Sequence, residues 1–122
     1  KFQLKCEIGE GKDAGVWLDY KDEEKRRKIG FMGLQFSHWV SMHGFSLNIE
    51  PDLEMFKKII PCGRKDVKIS SVSEEVHQKI TIEQILPSII ENFGIVMNKE
   101  IELEDNGKLP LNILRLKKLI HQ

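Results

Sequence analysis

The stretch KIGFMGLQFSHWVSMHGFSLNIE, Lys28 to Glu50, decides the fold class of this chain. Its first part, KIGFMGLQF (Lys28–Phe36), is strand-forming but holds Gly30 and Gly33 in its interior. Glycine there weakens a strand and marks a bulge or a close approach of something else to the backbone. The second part, WVSMHGFSLNIE (Trp39–Glu50), alternates Phe45, Leu47 and Ile49 with Ser46 and Asn48, the period of a strand with one buried face. Upstream, AGVWL (Ala14–Leu18) is short and apolar and runs into the charged segment DYKDEEKRR, which suits a strand entering a solvated loop. The first half is therefore expected to give three neighbouring antiparallel strands.

The second half reads as helical. Asp52 can cap a short helix, LEMFKKII, which Pro61 ends because a proline pushes the residue before it out of the α region. Cys62 and Gly63 then fall on a loop. SVSE (Ser71–Glu74) and TIEQ (Thr81–Gln84) are capping-box patterns, the second with Ile80 and Ile85 placed as a hydrophobic staple. Ile82, Ile85, Leu86, Ile89, Ile90 and Phe93 keep helical spacing; Pro87 should bend that helix, and Gly94 suits its C′ position. The tail adds a strand, KEIELE, a turn at Asn106-Gly107 and an amphipathic helix from Pro110 onward. The expected class is α+β, a mixed, largely antiparallel sheet packed with helices, with no internal repeat.

At 122 residues the chain has room for one modest core. Nineteen basic and nineteen acidic side chains cancel, so no summed field is available to hold nucleic acid or an anionic membrane. No apolar run approaches the roughly 20 residues of a membrane-spanning helix. The only cysteines, Cys6 and Cys62, lack CxxC or Cys/His spacing, which argues against a zinc site and favours two reduced thiols over a disulfide.

Cys62 has two readings on its own residues, a small buried hydrophobe or a reactive thiol. Gly63 leaves the sulfur room to be approached, and RKDVK just downstream supplies positive charge that favours thiolate. A nucleophile also needs a partner within hydrogen-bond reach. Among the four histidines, His43, followed by Gly44, is the candidate; His38 shares the strand-rich segment, and His77 and His121 lie near helix ends. Lys28 is the other candidate, since an ammonium beside a thiol stabilises its anion, although a lysine in KRRK also reads as a solvated edge. Gly30, Gly33 and Gly44 fit no phosphate-binding loop. They read either as bulges or as a slot where an extended ligand lies against backbone.

Taken in order, GVWL, RKIGFMGLQF, MHGFSLNI, DLEMF, IIPCG and ISSVSEE resemble the C-terminal half of the lipoyl(octanoyl) transferases, which move an octanoyl chain from acyl carrier protein to a lysine of a lipoyl domain. The combination K-I-x-x-x-G, H-G-x-x-L-N, D-L-x-x-F and P-C-G carries the likeness from about Gly15 to Phe93. It implies a biotin/lipoyl transferase-like fold, with residues 1–94 as the C-terminal part of the catalytic domain and 95–122 as a strand-turn-helix extension. The P-C-G cysteine, here Cys62, would carry the acyl group, and the lysine opening K-I-x-x-x-G, here Lys28, would lower the thiol's pKa and move protons. Substrate-contacting backbone maps to Phe31, Met32 and Gly33 and to Gly44, Phe45 and Ser46, with His43 in a supporting role.

The resemblance implies no cofactor and no metal. Its partners would be octanoyl-acyl carrier protein and the lipoyl domains of 2-oxoacid dehydrogenases or the glycine cleavage H protein, with no nucleic acid and no membrane span. Bacterial cytoplasm, mitochondrion and plastid all agree with it. The family's N-terminal R-G-G and H-G-P-G segments are not in this sequence, so the expectation is a piece of a longer protein. Such a piece has an incomplete sheet, an open pocket, little transferase activity alone, and strand edges that favour self-association. Two rival readings stand beside this one: a relative of the ATP-dependent lipoate or biotin ligases, which need no nucleophilic thiol, and a non-catalytic module that docks acyl carrier protein or lipoyl domains.

Overall fold

The computed structural model describes residues 2–104 and 113–117. The chain divides into two compact units, Lys1–Thr81 and Ile82–Gln122. The first holds a sheet in the order β1 (Cys6–Gly9), β2 (Gly15–Leu18), β3 (Arg27–Ser37), β4 (Val40–Leu47), each antiparallel to its neighbour. A short β5 (Lys68–Ile69) runs parallel to β3 at Arg27 and Lys28, on the same edge as β4 and at the end that β4 does not reach. The sheet is mixed and largely antiparallel, as expected, and it is not a closed barrel.

The three strands read from sequence are present, and the pairing shows why they lie where they do. Ser37 pairs with Val40, so His38 and Trp39 form a two-residue turn, and both have positive φ, 49° and 64°. That is the type I′ geometry whose twist matches the flanking strands. The β2–β3 register skips Ile29 between the pairs Val16–Gly30 and Trp17–Lys28, which makes a β-bulge beside Lys28. Asp22 closes the loop between these strands by accepting from the N–H groups of Glu24 and Lys25. Trp17 is completely buried, and Leu18, Ile29, Ile49, Val67, Val72 and Ile80 complete the core of this unit.

After β4 come two short helices. Asp52 caps α1 (Leu53–Phe56) by accepting from Glu54 N–H. The helix is shorter than the expected LEMFKKII, because from Lys57 to Ile59 each N–H bonds three residues back. Ile60, forced extended by Pro61, then leads into a single 3₁₀ turn, Pro61–Gly63. Ser71 caps α2 (Val72–Val76) by accepting from Glu74 N–H, as the SVSE pattern predicts. Arg27 binds both carboxylate oxygens of Glu75, which also accepts from Ser70 Oγ at 2.6 Å. This ties β3 to α2.

The second unit contains α3 (Ile82–Met97) and the antiparallel pair β6 (Glu100–Glu104) and β7 (Ile113–Lys117). Ile85, Leu86, Ile89, Ile90 and Phe93 are the less exposed stripe of α3, while Ile82 is exposed. The helix passes through Gly94, which was expected to end it; Asn98 takes the left-handed position instead, with φ 49°. Lys99 N–H bonds Gly94 C=O, and Asn98 N–H bonds Ile95 C=O, the Schellman arrangement. Gly94 is still required, since a Cβ there would lie 2.9 Å from Lys99 O. Where the apolar pattern from Pro110 suggests a helix, Ile113–Lys117 is a strand paired with β6. The expected turn at Asn106-Gly107 lies outside the described residues.

Candidate active site

Lys28 is the most constrained of the candidate residues. Only 4% of it is exposed, which overturns the solvated-edge reading. Its Nζ donates to Ala14 C=O at 2.7 Å and lies 5.1 Å from the Trp17 ring centroid and 5.2 Å from that of Phe31. Two aromatic faces and a carbonyl thus replace the water that an ammonium ordinarily holds. Gly15 makes the space. Its φ is 143°, and a Cβ there would come within 2.4 Å of Lys28 Cε and 2.3 Å of Gly30 O. The packing around the lysine therefore comes from β2, Gly15 and Trp17, and from the residue just before it.

Cys62 has the opposite setting. It occupies the 3₁₀ turn with φ 54° and ψ 24°, followed by Gly63 at φ 68°, and its side chain is exposed. A left-handed conformation in a residue with a Cβ costs about 1 kcal/mol, so the turn needs support. Gly63 N–H donates to Ile60 C=O, and Arg64 N–H to Pro61 C=O, both at 3.0 Å. A groove that mixes apolar side chains such as Phe56, Ile60 and Val67 with Lys57, Lys65, Lys68 and Glu74 reaches Pro61, the residue before it. Cys6 is also exposed and free, so the two thiols are not joined.

Of the cations just downstream of Cys62, Arg64 and Lys68 are engaged elsewhere, Lys68 Nζ donating to Glu24 C=O. Arg64 binds Asp13 through Nη1 and binds Asp66 through Nη2 and, at 3.1 Å, through Nε. Asp13 also accepts from Tyr20 Oη at 3.2 Å and faces Arg26 Nη1 at 3.9 Å. The Arg64 guanidinium holds both carboxyls below the usual carboxylate range, and they in turn raise its own pKa. Among the described residues no hydrogen bond joins Cys62 to Lys28 or to His43. The structure leaves the thiol open and the ammonium enclosed within one compact unit.

The six backbone positions expected to contact substrate come together as three consecutive cross-strand pairs: Phe31 with Ser46, Met32 with Phe45, Gly33 with Gly44. A Cβ on either glycine of the last pair would meet nothing within 4 Å, which leaves open surface over that point of the sheet. His43 follows in register opposite Leu34, exposed, with φ 70° inside a strand, a conformation rare for a residue with a side chain.

Sequence reasoning missed Gly15, Asp13, the Ala14 carbonyl and the partners of Arg64. The glycine before the apolar run was the available signal, but nothing in the spacing connects Asp13 to a residue 51 positions away. Among the described residues no group of His, Cys, Asp or Glu could hold a metal ion, and no helix is long and apolar enough to cross a membrane.

Residues 1–94 match the model of the lipoyl protein ligase A/B catalytic domain. The octanoyltransferase of Cytophaga hutchinsonii is 36% identical over 89 residues, 73% of this chain and 36% of that protein. That of Christiangramia forsetii is 38% identical over 105 residues, 85% of this chain and 44% of the relative. That of Orientia tsutsugamushi strain Ikeda is 44% identical over 69 residues, 57% of this chain and 32% of the relative. The chain thus spans less than half the length of these curated relatives.

Proposed function

Since this chain belongs to the lipoyl protein ligase A/B catalytic domain family, we propose that it is the acyl-accepting part of an octanoyltransferase acting in protein lipoylation. The observation that carries the reading is the exposed Cys62 sulfur, raised on a strained turn in the same compact unit as the enclosed Lys28 ammonium. The likeness to proteins named octanoyltransferase supports the same choice. A ligase that activates its acid with ATP has no use for such a sulfur.

The reaction runs in two steps. The Cys62 thiolate attacks the thioester carbonyl of octanoyl-acyl carrier protein; a carbon–sulfur bond forms to Cys62, and the carrier's thiolate leaves and takes up a proton. One thioester replaces another, so no ATP is consumed. The neutral amine of a lipoyl-domain lysine then attacks the Cys62 thioester, an amide forms, and Cys62 leaves as thiolate while the amine gives up a proton. Lys28 stabilises the sulfur anion and passes that proton. Its enclosure suits the task, because an ammonium between two rings and one carbonyl retains less hydration to be displaced. The pairs Phe31–Ser46, Met32–Phe45 and Gly33–Gly44 supply the backbone against which the substrate lies, and His43 flanks them.

The protein carrying this chain, mixed with octanoyl-acyl carrier protein in the absence of ATP, is expected to gain one octanoyl group on the peptide containing Cys62. The label should be removed by hydroxylamine and should move to a lipoyl-domain lysine when that domain is added. Cys62→Ser should abolish both. Label that depends on ATP assigns the chain to the ligases. Unchanged transfer by Cys62→Ser leaves only the docking module.

A further inference from the structure

The thiol and the ammonium sit on different elements, and two consecutive residues connect them. Asp13, 7% exposed, ends the 3₁₀ turn Gly11–Asp13 between β1 and β2, and its carboxylate binds Arg64, which directly follows the Pro61–Gly63 turn. The next residue, Ala14, gives its carbonyl to Lys28 Nζ at 2.7 Å. The Asp13–Ala14 segment is itself fixed: Trp17 Nε1 donates to Asp13 C=O at 2.7 Å, Tyr20 Oη binds the carboxylate, and Ala14 N–H bonds Gly11 C=O at 3.1 Å. One side chain thus holds the turn that bears the sulfur, and the neighbouring main chain holds the cation.

We propose that the Asp13–Arg64 ion pair is a positioning element that sets the Cys62 turn in register with the Lys28 ammonium. The inference rests on the reading of Cys62 and Lys28 as the acyl-carrying pair. Arg64 is not the partner of the sulfur, because its donors go to Asp13 and Asp66. Its effect reaches the thiol through the backbone of residues 61–64, whose positive-φ conformation at Cys62 and Gly63 relaxes when the guanidinium is released.

The test uses the full chain with Cys6→Ser, so that Cys62 is the only thiol, and measures its alkylation by the neutral reagent iodoacetamide at neutral pH. Near-ultraviolet circular dichroism of buried Trp17 reports folding. If the pair positions the turn, Arg64→Met and Asp13→Asn should each slow alkylation by about threefold or more, because the thiolate loses its ammonium. Arg64→Lys should restore most of the rate. The sign for Asp13→Asn is decisive: if Arg64 acted on the sulfur through space, removing the neighbouring anion would speed alkylation. A faster Asp13→Asn variant, or Arg64→Lys no better than Arg64→Met, overturns the proposal. Lys28→Met separates the two levels of the argument. A rate unchanged in Lys28→Met refutes the Cys62–Lys28 reading itself, whereas a slow Lys28→Met beside wild-type rates in Arg64→Met and Asp13→Asn refutes only the positioning role. Asp13→Asn keeps the side chain's shape and one acceptor oxygen, so it carries the test should Arg64→Met fail to fold.

Discussion

Both halves of β3 are strand-forming and interrupted by one glycine, yet their surroundings are opposite. At Lys28, Ile29 and Gly30 the strand is covered, with β2 on one side, β5 and the Asn48 amide on the other, and Trp17 beneath the lysine. From Met32 to Phe36, and on β4 from Val40 to Phe45, the apolar side chains are exposed on both faces of the hairpin, Phe36 to 71% and Trp39 entirely. Ion pairs cluster at the covered end, while no Asp, Glu, Lys or Arg occurs from Ile29 to Ile49. A strand's own hydropathy does not determine its burial; what lies above it does. The covered half holds the enclosed cation, and the open half holds two of the three strand pairs proposed for substrate, with Phe31–Ser46 at the boundary between them.

The same substitution made at a β2 glycine against the covered half and at a glycine of the open half gives the largest contrast. Gly15→Ala places a methyl group into Gly30 O and Lys28 Cε at a φ of 143° and should destabilise the fold by about 3 kcal/mol, combining overpacking with backbone strain. Gly33→Ala meets open space and should change stability by less than about 1 kcal/mol, toward stabilisation, through a restricted unfolded chain. Urea unfolding of both variants measures the difference. Equal losses would mean that the hairpin is as closely packed as the Lys28 end.

That contrast also separates what the sequence revealed from what it concealed. Strands β2, β3 and β4 were legible because Phe45, Leu47 and Ile49 alternate and because GVWL and KIGFMGLQF are bounded by turns and charge. Strand β1 was not: CEIG is short and mostly exposed, and only its pairing with β2 makes it a strand. The His38-Trp39 turn lacks the Asn-Gly signature, so its tightness comes from register rather than composition. Cys62 and Lys28 were singled out by the motifs around them, as candidates. The enclosure of Lys28 was not, since it depends on a glycine 13 positions upstream, nor was the Asp13–Arg64 pair, which only tertiary folding creates. The helix read from Pro110 failed at residues 113–117 because apolar spacing in a short segment does not distinguish a helix from a strand that finds a partner.

Acid should act on the covered half first. Glu75 has its pKa lowered chiefly by the Arg27 guanidinium, with help from Ser70 Oγ, and Asp13 chiefly by Arg64. A carboxyl whose folded pKa lies below its unfolded value of about 4 contributes stability at higher pH and loses it as pH falls through the folded value. The urea midpoint should therefore hold from neutrality to about pH 5 and then decline. Glu75→Gln should be less stable at neutral pH, because Arg27 loses its anion, yet show a smaller further loss on acidification than the native chain. An identical acid decline in Glu75→Gln would remove this pair from the account. The stretch from Ile29 to Ile49 has no carboxylate and gives acid nothing to protonate except histidine.

The smallest effect on stability is expected at the hairpin tip, where the consequence is of another kind. Trp39 is fully exposed and Phe36 largely so, and a side chain that is already in water loses little when it is truncated. Phe36→Ser and Trp39→Ser should each shift the unfolding free energy by less than about 0.5 kcal/mol. The same substitutions should lower binding of an environment-sensitive apolar dye, because Phe36 shares an exposed apolar face with Met32 and Leu34, Trp39 stands at the adjoining turn, and such patches attract apolar ligands. β4 has no strand on its far side among the described residues, so the apolar patch lies beside an open edge. A large stability loss in either variant, with dye binding unchanged, would show that the tip is packed in solution and would erase the distinction between the two halves of β3.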